Sequence, residues 1–199
     1  TYQDYGKKIL NISDKKIIKK YITKISNIKK KDFVYYENSK ILNKILNYNK
    51  FFKTKGVSIN SKKIKKDNLF IALKGKKKDG HNFISNALKN GASHCIISKK
   101  INKIKEDKIL NVKNTFNFLN DFASYKRNLS KAKIIAVTGS AGKTTLKTML
   151  AKILSNYNKT YFSPKSYNNH YGVPVSLSNL ENAFQFGIFE IGMSKKGEI

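Results

Sequence analysis

Residues 138–145 spell TGSAGKTT, and those residue types in that order can hold a polyphosphate. Gly139 and Gly142 let the backbone turn its N–H groups inward onto phosphate oxygens. Lys143 carries a charge that reaches the β- and γ-phosphates of a nucleotide, and Thr144 offers a hydroxyl to Mg²⁺. The common phosphate-loop spacing, G-x-x-x-x-G-K-[ST], would place its first glycine at position 137, which is valine. The loop is therefore a variant. Its plainer alternative is a glycine turn with a chance Lys-Thr pair.

Such a loop works only between a strand and a helix. The positive end of the helix then points at the phosphate, and the strand fixes where the loop begins. KIIAV (133–137) is apolar enough for that strand, and LKTMLAKILSNY (146–157) has helical periodicity. A strand KTYFS, a loop PKSYNNHYGVP, a helix VSLSNL and a strand FGIFEIG follow. This alternation predicts the first part of a mostly parallel, doubly wound sheet, about three strands of it. Glu190 ends an apolar strand, where sites gather in such sheets; its alternative is an ordinary exposed carboxylate.

Upstream, the strand-like runs VSINS, LFIAL, SHCIIS and KILNV surround a helix NFISNALKNG, closed by Gly91. They predict a small α/β domain, joined to the phosphate-loop unit by a helix TFNFLNDFASYKRNL. Residues 1 to about 50 are rich in Lys, Asn and Ile, with helix-compatible runs at 14–25 and 38–48 and a charged connector at 26–32. The expected division is 1–50 as a leader or linker, 51–130 as the small mixed α/β domain, and 131–199 as the start of the phosphate-loop domain. The chain opens on Thr1 and closes on KKGEI, and we read it as a piece of a longer protein.

A formal net charge of +29 invites a nucleic-acid partner. Arg127 is the only arginine, however, and the other 40 basic residues are lysines scattered among Ile and Asn. Readers of nucleic acid draw on the planar fork of arginine, so this pattern fits a compositional bias of the genome better than a polyanion-binding face. A functional basic surface is the alternative. Twelve Phe, 11 Tyr and a hydrophobic content of 40% argue for a packed core and against disorder. No apolar run reaches the length of a membrane span. The one cysteine, Cys95, lies in an apolar run and reads as a small core residue.

AVTGSAGKTTLKTML resembles the ATP loop of the Mur ligases, which build the peptide of bacterial peptidoglycan. YNNHYGVPVSLSNL is similar to the segment that marks the D-alanyl-D-alanine-adding branch of that family, and FEIGMSKKGEI to its next strand and loop. VSINSKKIKKDNLFIALKGKKKDGHNFISNALKNGA resembles the N-terminal domain that binds a UDP-sugar. These stretches span about residues 56 to 199 in the family's order. The first 25 residues faintly resemble the tail of the neighbouring ligase MurE, which would make the chain the joint of a fusion; the alternative is a charged helical leader.

The resemblance implies ATP-dependent amide formation in the bacterial cytoplasm, with UDP-MurNAc-tripeptide and D-Ala-D-Ala as substrates and ATP and Mg²⁺ as cofactors. A carboxylate would be phosphorylated and the acyl phosphate attacked by an amine. Gly139, Ser140, Ala141, Gly142, Lys143, Thr144 and Thr145 would cradle ATP, with Lys143, Glu190 and His170 catalytic. Thr144 and Glu190 would hold the metal. Asn168, Asn169 and His170 would lie beside the nucleotide and a second metal; alternatively His170 is structural and the asparagines are turn residues. Ser61 matches the serine of a uridine-contacting triplet, which here reads Asn60-Ser61-Lys62; both flanking residues differ from the family's, and Lys62, though expected to bind substrate with Ser61, cannot copy a bidentate arginine contact. Gly75, Asp79, Gly80 and His81 match a substrate-facing loop, although Asp79 and His81 could equally be loop caps. The resemblance also implies a monomer with no specific nucleic-acid partner, and a fragment that does not turn over alone. The alternatives are MurE or another Mur or folylpolyglutamate-type ligase and, in another class, a basic phosphate-loop ATPase that binds nucleic acid.

Overall fold

The computed structural model describes residues 33–101, 106–165 and 167–193. The helical run at 14–25, the connector at 26–32, the MurE-like tail and residues 194–199 lie outside the described residues. Two parallel sheets stand in sequence. The first has the order β1-β2-β3-β4, with β1 Gly56–Ser58, β2 Asn68–Ile71, β3 Ala92–Ile97 and β4 Ile109–Asn111. Every neighbouring pair in it is parallel. The second has the order β5-β7-β6, with β5 Lys133–Val137, β6 Thr160–Phe162 and β7 Phe186–Glu190. It too is wholly parallel, and β7, last in the chain, lies in its centre.

The side-chain alternation of the strands builds the first unit. Leu69 and Ile71 of β2 and Ile96 of β3 face one side, where helices α1 (Phe33–Leu46) and α3 (Thr115–Leu129) cover them with Ile41, Leu42, Phe118, Leu119 and Phe122. Phe70, Cys95 and Ile97 face the other side and meet Ile84 and Ala87 of α2 (Ile84–Lys89). Cys95 is thus a core residue, and burial pushes its thiol up to about 12. Helix α1 lies within the stretch expected to be a leader, yet its apolar face is part of this core. Helix α3 covers the span its periodicity predicts, because Asn114 accepts from the N–H groups of Phe116 and Asn117 and caps it.

The second unit has α4 (Lys143–Ser155) after β5 and α5 (Gly172–Ser178) after β6. Helix α4 begins three residues earlier than its apolar period suggests. Gly142 adopts a left-handed conformation, φ 73°, and Lys143 already turns into the helix. Leu146, Met149 and Ile153 form an exposed apolar stripe on α4.

The units are joined through specific contacts as well as the chain. Val175 of α5 enters the first unit's core. The amide of Asn179 completes the edge of β1: its Oδ1 accepts the Val57 N–H at 2.9 Å, and its Nδ2 donates to the Val57 carbonyl at 2.9 Å. One side chain thus replaces a missing strand across 122 residues of sequence. Glu37 of α1 ion-pairs with the buried Lys126 of α3 and also accepts from Asn182 of the second unit. Asn179→Ala leaves the buried Val57 N–H and C=O unpaired. It should lower stability by about 1–3 kcal/mol, read as a reduced urea midpoint. An unchanged midpoint would show that solvent satisfies those groups.

Candidate functional site

Strand β5 delivers the chain into the loop 138–142, and α4 carries it away. Gly139 (φ 142°) and Gly142 (φ 73°) both occupy the region that favours glycine. Beyond Gly142 a Cβ would meet no atom of the described residues within 4 Å, so its glycine is required by conformation, not by crowding. The Lys143 ammonium lies across the mouth of the loop, 2.5 Å from the Gly139 carbonyl and 3.4 Å from that of Ser140. Ser140, Ala141 and Thr145 are exposed around it.

Behind the loop sits Glu190, the last residue of the central strand, only 3% exposed. A carboxylate at that depth requires partners. The Thr144 hydroxyl donates to its Oε2 at 2.8 Å, and the Lys147 ammonium lies 3.0 Å from the same oxygen. Asn168 donates to Oε1 at 2.9 Å. Burial alone would raise the Glu190 carboxyl, but the contacts from Lys147, Thr144 and Asn168, with the charge on Lys147, hold it below the usual carboxylate range. The side chain is therefore an anion at neutral pH.

Mg²⁺ favours hard oxygen donors, few protein ligands, and phosphate and water for the remainder. The Thr144 hydroxyl and the ionised Glu190 supply that donor set, and the open glycine turn stands beside them. Among the described residues no group of three or more His, Cys, Asp or Glu is placed to hold a metal. The donor set therefore suits a cation that arrives with polyphosphate oxygens.

The loop after β6 serves two places. Asn168 holds Glu190, and its carbonyl accepts from Gly192 at 2.6 Å. Its neighbours Tyr167 and Asn169, with Tyr171, line a cavity of about 680 Å³ between the two units. Asn169 also caps α5, accepting from the N–H groups of Tyr171 and Gly172. His170 is exposed, with its ring tilted against that of Tyr171 and edge-on to Phe116. A Cβ on Gly172 would fall 2.5 Å from the backbone of Tyr167, so only glycine allows this loop to fold so closely.

On the first unit's side the cavity is lined by Ser61, Lys62, Gly75 and Gly80, and also by Lys63 and Lys78. Lys63 stands over the Tyr167 ring at 5.7 Å, a contact from one unit to the other. Asp79 and His81 are not part of this lining. Asp79 accepts the His81 N–H at 3.0 Å and caps the turn 80–83, while His81 Nδ1 lies 2.6 Å from the same carboxylate. His81 Nε2 accepts the Ser98 N–H at 3.0 Å. The buried imidazole thus clamps the lysine-rich loop to the end of β3. The Lys99 ammonium, 2.5 Å away, is foremost in holding the Asp79 carboxyl well below its usual range, and His81 assists.

Lys147 went unread in the sequence because a lysine on a helix normally faces solvent. The signal was its spacing: three residues after Thr144, it shares that residue's face of the helix. Lys63 and Tyr167 had no local signal.

Residues 137–198 match the family model described as the Mur ligase middle domain. The UDP-N-acetylmuramoyl-tripeptide–D-alanyl-D-alanine ligase of Rickettsia prowazekii is 43% identical over 143 residues, which is 72% of this chain and 32% of that protein. The ligase of the same name from Borreliella burgdorferi is 32% identical over 186 residues, 86% of this chain and 38% of its own length. A crystal structure of MurF from Acinetobacter baumannii superposes with a TM-score of 0.66 and 31% identity, covering 80% of this chain and 36% of that one. MurF from Thermotoga maritima in complex with ADP superposes with a TM-score of 0.57 and 34% identity, covering 71% and 33%. The chain spans about a third of the length of the curated relatives it matches.

Two outcomes test this geometry. Gly172→Ala should displace Tyr167 and Asn168 together, lowering stability by about 1–3 kcal/mol; a stable variant with an unshifted loop in its crystal structure would contradict the close approach. Asp79→Asn tests the clamp through pH. A depressed carboxyl stabilises the fold fully above its unfolded value, and that contribution fades as pH falls through the folded value. The stability gap between the native chain and Asp79→Asn should therefore be constant above about pH 5 and shrink steadily below about pH 4. A gap independent of pH would contradict it.

Proposed function

Because the chain belongs to the Mur ligase family, we propose that it is the substrate- and ATP-binding portion of a cytoplasmic ligase that joins D-Ala-D-Ala to UDP-MurNAc-tripeptide. The observation that carries this reading is the segment 167–172. Through Asn168 it fixes the carboxylate behind the phosphate loop, and through Tyr167 and Asn169 it lines the cavity of the first unit. A ligase that activates an acid with ATP needs its nucleotide and its acid substrate side by side, and this loop is a wall of both sites.

The cavity suits a nucleotide-sugar in size and chemistry. Its volume is typical of small-molecule sites. Lys62, Lys63 and Lys78 offer ammonium groups to a diphosphate, while Phe83 offers an aromatic face to a base. On the other side of the loop, amides of 139–143 and the start of α4 would meet the triphosphate. The relative from Thermotoga maritima, solved with ADP, supports nucleotide binding there.

Phosphoryl transfer asks mainly for positioning and charge neutralisation. Lys143 would leave the carbonyls it now contacts for the β- and γ-phosphate oxygens and stabilise the phosphoryl group as it moves to the substrate carboxylate. Thr144 and Glu190 would hold Mg²⁺, which would supply positive charge to offset that of the phosphates. The amine of D-Ala-D-Ala would then displace phosphate from the acyl phosphate, forming the amide.

In the full-length protein, ADP release should require both UDP-MurNAc-tripeptide and D-Ala-D-Ala. Lys143→Ala should lower kcat by a factor of about 10² or more. ADP release that ignores both substrates, or a Lys143→Ala variant with native rates, would refute the proposal.

A further inference from the structure

The mechanism above uses Thr144 and Glu190 and leaves Lys147 without a task. Lys147 is 2% exposed, and among the described residues its Nζ makes no hydrogen bond beyond its ion pair with Glu190 Oε2. A buried lysine is costly unless paired, and an ammonium carries three donors. Here that charge is directed at a single carboxylate oxygen, the one that also accepts the Thr144 hydroxyl. The other oxygen is held by Asn168. Both oxygens of Glu190 are thus engaged, and its charge is already balanced by a side chain of the same protein.

We propose that Lys147 is the resident counter-ion of Glu190, holding the carboxylate in register with Thr144 and setting the site's affinity for a divalent cation by competing for Oε2. The proposal rests on the reading of Thr144 and Glu190 as the cation's ligands. A cation bound by those two residues meets a fixed ammonium at the same oxygen, and like charges at that range repel strongly in a partly dry site. The protein alone therefore binds the cation weakly. A polyphosphate on the adjoining loop adds the negative charge that reverses the balance, so cation and nucleotide are taken up together. A lysine that merely fills space between α4 and the sheet would have no such effect.

The test measures cation binding rather than turnover. Mn²⁺, as a spectroscopic stand-in for Mg²⁺, is titrated into the full-length protein without nucleotide, and the free-ion EPR signal is followed. Thermal midpoints are recorded with and without Mg²⁺. Lys147→Met keeps the length of the stem and removes the charge; Lys147→Gln is the second variant should the first not fold. Either variant should bind Mn²⁺ about tenfold more tightly than the native protein. Its midpoint should be lower in metal-free buffer and should recover with Mg²⁺. Mn²⁺ affinity equal to or weaker than native in the folded variant would overturn the proposal, provided Glu190→Gln abolishes binding. Cation binding that survives Glu190→Gln would instead overturn the ligand assignment, and this proposal with it.

Discussion

A carboxylate buried at the end of a central strand must be met by donors, and at Glu190 they come from two separate parts of the chain. Thr144 and Lys147 come from α4, and Asn168 from the loop after β6. The backbone of Glu190 joins in, since its N–H donates to the Ser163 hydroxyl at the start of that loop. Take away the anion and each group loses its reason to point inward. The loop 138–142, the first turn of α4 and one wall of the cavity between the units are held in mutual register by one negative charge. The β5-β7-β6 strand order makes this possible, because it places the last strand between the two whose C-terminal loops carry the partners.

The same economy appears where the units meet. Asn179 supplies one donor and one acceptor to Val57, as a neighbouring strand would, and Lys63 covers Tyr167 across the cavity. The cavity is therefore shared, with lysines from one unit and aromatic and amide groups from the other. A change in the position of residues 167–172 moves a cavity wall and the support of Glu190 at once. That coupling suits the proposed ligase, which would hold an acid substrate beside the nucleotide that activates it.

Much of this architecture can be read from local sequence. KIIAV is a strand and TFNFLNDFASYKRNL a helix to the residue, since each combines a clear period with a clear boundary. The glycines of the phosphate loop were legible because their conformations admit almost nothing else. The start of α4 is not legible in the apolar period, because Lys143 and Thr144 have the character of loop residues and it is the left-handed Gly142 that turns the chain into the helix. Asp79 and His81 left two roles open in sequence, and the structure places them in a clamp with Ser98 and Lys99. Lys147 and Asn179 stayed hidden for a different reason. Their roles depend on partners 43 and 122 residues away, Glu190 and Val57, and no periodicity encodes such a meeting.

The most direct measurement is a crystal structure of the full-length protein with Mg²⁺ and ADP. The account predicts the β-phosphate on the amides of residues 139–144, the cation between Thr144 and Glu190, and Asn168 still bonded to that carboxylate. A nucleotide seated elsewhere, with Glu190 turned away from Thr144 and Asn168, would contradict it.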